Sequence, residues 1–254
     1  VGKLREGLLS SGRNDQFALE GSSLYETSLY LSIMFESSVG MLDTTSILAR
    51  LVPGMYTTIV RPLQSSQSQS PSQSSASLTA ILMLLHTLII TYPSQRAYFD
   101  TLKSIPECIL DRKSETYVWV RAVARCLGGC DFVEFEKLTR GSSVFDLVAS
   151  TAPNAQAIPS RHTLDLARTA LRVLLSRLRA KARDRAWVVF RSAYREISEG
   201  DEVKRWLERY LALESSVPGT GKIPFDEWIR ERERDGHVGR KEGAVGKWVV
   251  CKLR

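Results

Sequence analysis

The stretch IPFDEWIRERERDGHVGRKEGAVGKWVVCKLR, residues 223–254, changes its periodicity halfway along, and that change sets the reading of the C-terminal part of the chain. After Pro224, Asp226 and Glu227 fall in a first helical turn, where negative charge suits the helix dipole. Phe225, Trp228, Ile229 and the aliphatic stem of Arg232 share one face at the i, i+3, i+4 spacing that puts apolar groups on a core. Gly236 stops the helix. From His237 the period is two: Trp248, Val250 and Lys252 alternate with Val249, Cys251 and Leu253, and a short strand around Val238 joins them through Glu242-Gly243. The residues predict an amphipathic helix running into a β-hairpin, with Arg240, Lys241 and Lys247 on the hairpin's exposed rim. A helix followed by an unrelated basic tail is the competing reading, and a solvated tail has no need of Trp-Val-Val.

Upstream, Asp201 to Leu213 reads as a helix with Val203, Trp206, Leu207 and Tyr210 on one side, and Trp187 to Ile197 reads as another. Three helices followed by a hairpin is the order of elements in a winged-helix domain. A longer helix begins near Ser160. Leu164, Ala167, Leu171, Leu174, Leu175 and Leu178 form its apolar stripe, and Arg168, Arg172, Arg179 and Arg183 recur on another side. Those arginines are candidates for phosphate contact, or a solvated face.

Residues before this read as helices broken by Pro, Gly or Ser. Ser23-Leu-Tyr-Glu26 has the form of a capping box opening an apolar segment to about Val39. Asp43 can cap the next helix, which must kink or stop near Pro53 because proline lacks an amide proton. The tract QSSQSQSPSQSSAS, residues 64–77, offers no side chain able to offset the entropy of ordering, and predicts a flexible insertion. Helical patterns resume at Leu78–Thr91, Gln95–Ile105, Glu115–Leu127, Asp131–Thr139 and Val144–Ala149. Short helices joined by short loops describe stacked, TPR-like helical pairs. The expected organisation is an N-terminal extension over 1–21, a helical array over 22–183 and a winged-helix part over 184–254, in a mainly α fold with one small hairpin.

With 43% apolar and 25% charged residues over 254 positions, the chain can bury a large core, in one long or two ordinary domains. Cys108, Cys126, Cys130 and Cys251 are too scattered for a disulfide framework or a metal site and read as reduced thiols, in a soluble intracellular protein. The longest apolar run, Ala80 to Ile90, falls short of the roughly 18 to 20 residues of a membrane span. Val1 is not an initiator methionine, so a missing true start is expected. Charge is uneven. Residues 161–254 hold 22 Lys+Arg against 14 Asp+Glu, a net +8, and residues 1–160 hold 13 against 14. A basic module beside a neutral one points to phosphate backbones or an acidic protein as partner, unless the charges only solvate helical faces.

Catalytic motifs do not emerge. Gly219-Thr-Gly221-Lys222 lacks the first glycine of a phosphate loop, where Ser216 stands, and Ile223 replaces the hydroxyl that would hold magnesium. His86, His162 and His237 are isolated, and Cys126 and Cys130 have no ligand partners nearby. Trp187, Trp206, Trp228 and Trp248 all fall on apolar faces, where core packing outweighs base stacking as an expectation.

RAVARCLGGCDFVEFEKL (121–138) resembles the helix, glycine turn and aromatic-rich helix of GANP-like proteins within the PCI superfamily, with Gly128-Gly129-Cys130-Asp131 as the turn and Phe132 and Phe135 following. LYETSLYLSIMFESSVG (24–40) looks like an upstream helix of the same array. ARTALRVLLSRLRAKA (167–182) looks like the long helix that enters the winged helix. The resemblance covers residues 22–254. It implies a non-enzymatic, cofactor-free nuclear scaffold of mRNA export or transcription-coupled complexes. Its winged helix would dock a partner PCI chain through Val249, Cys251 and Leu253, a small acidic tether-like subunit would lie along the helices, and RNA or DNA along the basic side. The wider superfamily implies a second option, a proteasome-lid, signalosome or translation-initiation subunit acting by protein docking alone.

Overall fold

The computed structural model describes residues 18–35, 41–57, 71–140, 161–214, 223–244 and 246–252. The chain is mainly helical with one small three-stranded antiparallel sheet. It divides into two compact units, Val1–Arg121 with Ser142–Leu175, and Ala122–Gly141 with Ser176–Arg254. Among the described residues no helix is long and apolar enough to cross a membrane.

In the first unit, α1 (Ala18–Phe35) packs on α2 (Met41–Ala49) and on a π-helical turn, Arg50–Met55, that follows it. The turn breaks at Val52 (φ −124°, ψ 124°), immediately before Pro53, because a residue ahead of proline is driven out of the helical region. The predicted kink is therefore present. Helix α3 (Pro71–Thr91) packs on the π turn, on α2 and on α4 (Arg96–Ser104). Ala80, Leu82, Leu84, Leu85 and Leu88 are fully buried, as expected of a helix apolar on most of its circumference.

Two expectations are corrected here. Helix α1 already runs through Ser23, so Ser23-Leu-Tyr-Glu26 is not its start. Glu26 instead lies buried and accepts a 2.5 Å hydrogen bond from the Tyr56 hydroxyl, which also lies 3.1 Å from Thr79 Oγ1. The Ser/Gln tract is helical from Pro71 onward, residues 64–70 lying outside the described residues. Proline at the first helical position gives up an amide that had no helical partner, and buried Ala76 and Leu78 tie that polar turn to the apolar body of α3. The helix expected at Val144–Ala149 also lies outside the described residues.

Helix α5 (Glu115–Gly128) leads through Cys130, in the left-handed region at φ 57°, to α6 (Phe132–Thr139), capped by the Asp131 carboxylate accepting from the Glu134 amide at 3.1 Å. Helix α7, Arg161–Ala193, is one unbroken element of 33 residues, not two. Its buried stripe of Ala167, Leu171, Leu174, Leu175 and Leu178 continues through Ala182, Ala186 and Phe190, so the charged run at 183–185, of which Asp184 and Arg185 are exposed, does not end the helix.

In the second unit, the half of α7 from Ser176 is followed by β1 (Glu196–Ser198), α8 (Asp201–Tyr210), α9 (Phe225–Arg234), β2 (Val238–Arg240) and β3 (Lys247–Val250). Strand β1 replaces the end of the helix expected to Ile197. The sheet order is β1-β3-β2, with Ile197 opposite Trp248 and Val238 opposite Val250. Ile197, Val238, Trp248 and Val250 point inward and are buried, giving the period-two pattern read from the hairpin. Gly236, Gly243 and Gly246 take positive φ at the helix end and in the hairpin turn, where a side chain would be strained. Phe225, Trp228 and Ile229 form the buried face of α9, and Trp187 meets Trp228 edge-on at 4.8 Å.

Candidate functional site

The arginines of α7 divide sharply by environment. Arg168 is partly exposed beside Asp165 at 4.0 Å, and Arg172 is half-buried; both belong to the first unit. Arg179, in the second unit, is only 2% exposed. Its guanidinium donates to Thr139 Oγ1 at 2.8 Å, to the Glu214 carbonyl at 2.8 Å and to the buried Glu136 carboxylate at 3.4 Å. Glu136 is also gripped by Arg140 at 2.9 and 2.7 Å. Burial lowers the Arg179 pKa while the Glu136 charge works to raise it, which is the balance of a desolvated ion pair. Arg183 donates to the Leu211 and Ala212 carbonyls at 3.0 and 2.9 Å, closing the C-terminal end of α8 as cations near a helix terminus do. Arg179 and Arg183 are internal clamps, which corrects the expectation that they present a phosphate-binding stripe: a helical period shows which residues share a face, not what covers that face.

Sequence reasoning overlooked Arg191. It is buried and donates to the Cys251 and Lys252 carbonyls at 3.0 and 3.4 Å, holding the end of β3 against α7. The available signal was spacing, since 179, 183, 187 and 191 fall at steps of four on one side of the helix. Trp187, within that series, donates its indole N–H to His237 Nδ1 at 3.2 Å. Burial, then the Arg191 charge, depresses the His237 pKa, so the ring is held neutral as an acceptor.

The hairpin cations do not form one free rim. Arg240 is 74% exposed, yet it lies over the Trp248 ring at 5.3 Å and 3.6 Å from Glu233 of α9. Lys241 reaches the Glu196 carboxylate at 2.6 Å, which holds that carboxyl below its usual range, with Lys247 adding a weaker pull. Between α9 and β2, Glu227, Arg230, Glu233, Arg234 and Arg240 line a shallow cleft of about 430 Å³ in which both signs alternate. Residues 225–235 carry five carboxylates against three arginines.

Of the docking candidates, Val249 and Cys251 are exposed, with Val249 on the outer face of the sheet between Glu196 and Gly239; Leu253 lies outside the described residues. Trp187, Trp228 and Trp248 are core residues. Trp206 is not, being 37% exposed in a cluster with Tyr194, which is 49% exposed. Among the described residues no group of three or more His, Cys, Asp or Glu side chains gathers to hold a metal ion. Gly219 to Lys222 lie outside the described residues, and the four cysteines are free thiols. Comparison with protein-family models, with curated proteins and with solved structures finds no match.

Proposed function

We propose that this chain is a non-enzymatic scaffold subunit whose C-terminal unit is a winged helix used for protein docking. The winged-helix reading is supported by the succession helix, strand, helix, helix, strand, strand, and by the sheet order β1-β3-β2. The helices of the first unit are, on the same reading, the stacked pairs of a TPR-like array. The resemblance to GANP-like PCI proteins supplies the setting, a nuclear mRNA-processing or export complex with a second PCI chain as partner. A small acidic subunit suits the +8 of residues 161–254.

The observation that carries docking over nucleic-acid binding is charge. On the winged-helix reading α9 is the recognition helix, the element that such a domain presents to the major groove, and its excess of carboxylates over arginines repels phosphate. Two of the three hairpin cations already face carboxylates. The second reading, an RNA- or DNA-binding module, draws on the net charge of the C-terminal third. Fluorescence anisotropy with labelled single-stranded RNA and duplex DNA over a salt series separates the two. The expected result is no salt-sensitive binding, and no difference on charge reversal at Arg240, Lys241 and Lys247. Tight binding that weakens with salt and disappears in the reversed variant overturns docking as the main function.

A further inference from the structure

We propose that His237 is a proton switch for the C-terminal end of β3: its neutral ring keeps Cys251 and Lys252 in place, and protonation releases them. The switch stands on contacts within the C-terminal unit. Its use, the regulation of docking through Val249 and Cys251, rests on the protein-docking reading.

An indole N–H can only donate, so the bond from Trp187 at 3.2 Å requires a lone pair on His237 Nδ1. A proton on that nitrogen sets two donors against each other. Trp187 is buried, stacked on Phe190 at 5.4 Å and edge-on to Trp228 at 4.8 Å, so the indole is wedged. The histidine ring is therefore the partner that moves, on a backbone that follows Gly236, at φ 71°, where the chain leaves α9.

Charge acts in the same direction. The charged groups that face the ring are Arg191 of α7 and Arg232 and Asp235 of α9. Of these only Asp235 favours an imidazolium, and it already lies 3.2 Å from Arg232. Buried Arg191 holds two carbonyls and, among the described residues, no carboxylate, so nothing neutralises a second positive charge beside it.

Both effects end on the same segment. The Cys251 amide donates to the His237 carbonyl at 2.9 Å, and Arg191 donates to the Cys251 and Lys252 carbonyls at 3.0 and 3.4 Å. Movement of the ring or of the guanidinium frees the chain past Val250, whose own amide stays tied to the Arg195 carbonyl at 2.8 Å. A histidine ordinarily titrates near pH ~6.5, so the held state belongs to neutral solution and the released state to mildly acidic solution.

The test is NMR on the full chain between about pH 7.5 and about pH 5, following the His237 ring nitrogens and the hydrogen-exchange protection of backbone amides, corrected for the intrinsic rate at each pH. The expected result is that Cys251 protection falls roughly tenfold or more as His237 protonates, while Trp248, in the middle of β3, keeps its protection. His237→Gln, whose side-chain oxygen accepts from the indole but does not titrate, should hold Cys251 equally at both ends of the range. The switch is overturned if His237 stays neutral to about pH 5, if it protonates with Cys251 unchanged, if Trp248 loses protection in step, or if the Gln variant shows the same loss. No partner is present in this measurement, so a negative result removes the switch and leaves the docking reading standing; salt-sensitive RNA or DNA binding removes that reading and leaves the switch.

Discussion

Arginines on α7 and cations on the hairpin are the same kind of residue put to opposite structural use. Arg179, Arg183 and Arg191 are turned inward onto carbonyls and a buried carboxylate, so the helix is anchored through its charges. In the hairpin the anchor is a ring, Trp248, whose indole N–H donates to Glu199 at 2.8 Å; Arg240 lies over that ring, and Lys241 pairs with exposed Glu196. The difference teaches that a cation's worth depends on what surrounds it. A desolvated guanidinium with several acceptors cannot be removed without stranding them, whereas an exposed ion pair exchanges readily for water.

The contrast breaks first at its anchors. Trp248→Ala is expected to cost about 3 to 5 kcal/mol, the range for truncating a buried large aromatic, measured by denaturant melts. A loss below about 1 kcal/mol would mean that the indole does not anchor the hairpin. Arg179→Ala comes next, at about 3 kcal/mol, because Glu136 remains buried. Arg140 still holds that carboxylate, which keeps the cost at the low end of the range for a broken buried pair. Triple charge reversal of Arg240, Lys241 and Lys247 should shift stability by no more than about 1 to 2 kcal/mol, since each exposed pair is worth under about 1 kcal/mol. A larger loss would erase the distinction between buried clamp and exposed pair.

The smallest effect concerns pH. Because the folded His237 pKa lies below the ordinary 6.5, the unfolded chain binds the proton more readily. Stability from this group is complete above 6.5 and declines as pH falls from there toward the lowered folded value. Thermal melts from about pH 7.5 to about pH 5 should show a shallower decline in His237→Gln than in the parent chain. An identical decline would show that the Trp187–His237 contact does not couple to protonation.

Legibility followed the strength of local signals. The face of α9, the glycine stop and the hairpin alternation were readable because Phe225, Trp228, Ile229, Trp248 and Val250 repeat at periods that only one backbone shape puts on a common side. Strand β1 was not, since Ile197 is its one buried side chain and pairing with β3 alone makes those residues extended. The polar turn at the start of α3 likewise had no pattern of its own and is helical through the burial of Ala76 and Leu78. For the candidate site, exposure of Val249 followed from alternation, but Tyr194 and Trp206 converge from different elements, and no spacing along the chain encodes that meeting.

By itself, then, the sequence determined that this chain is mainly helical, that it ends in a small antiparallel hairpin, and that its positive charge gathers in the last third. These are consequences of periodicity and composition, which act over a few residues. Tertiary structure alone decided which charges are solvent and which are framework. The inward turn of Arg179 and Arg183 and the pairing of Lys241 with Glu196 join residues tens of positions apart, where burial and distance set the energy of each contact.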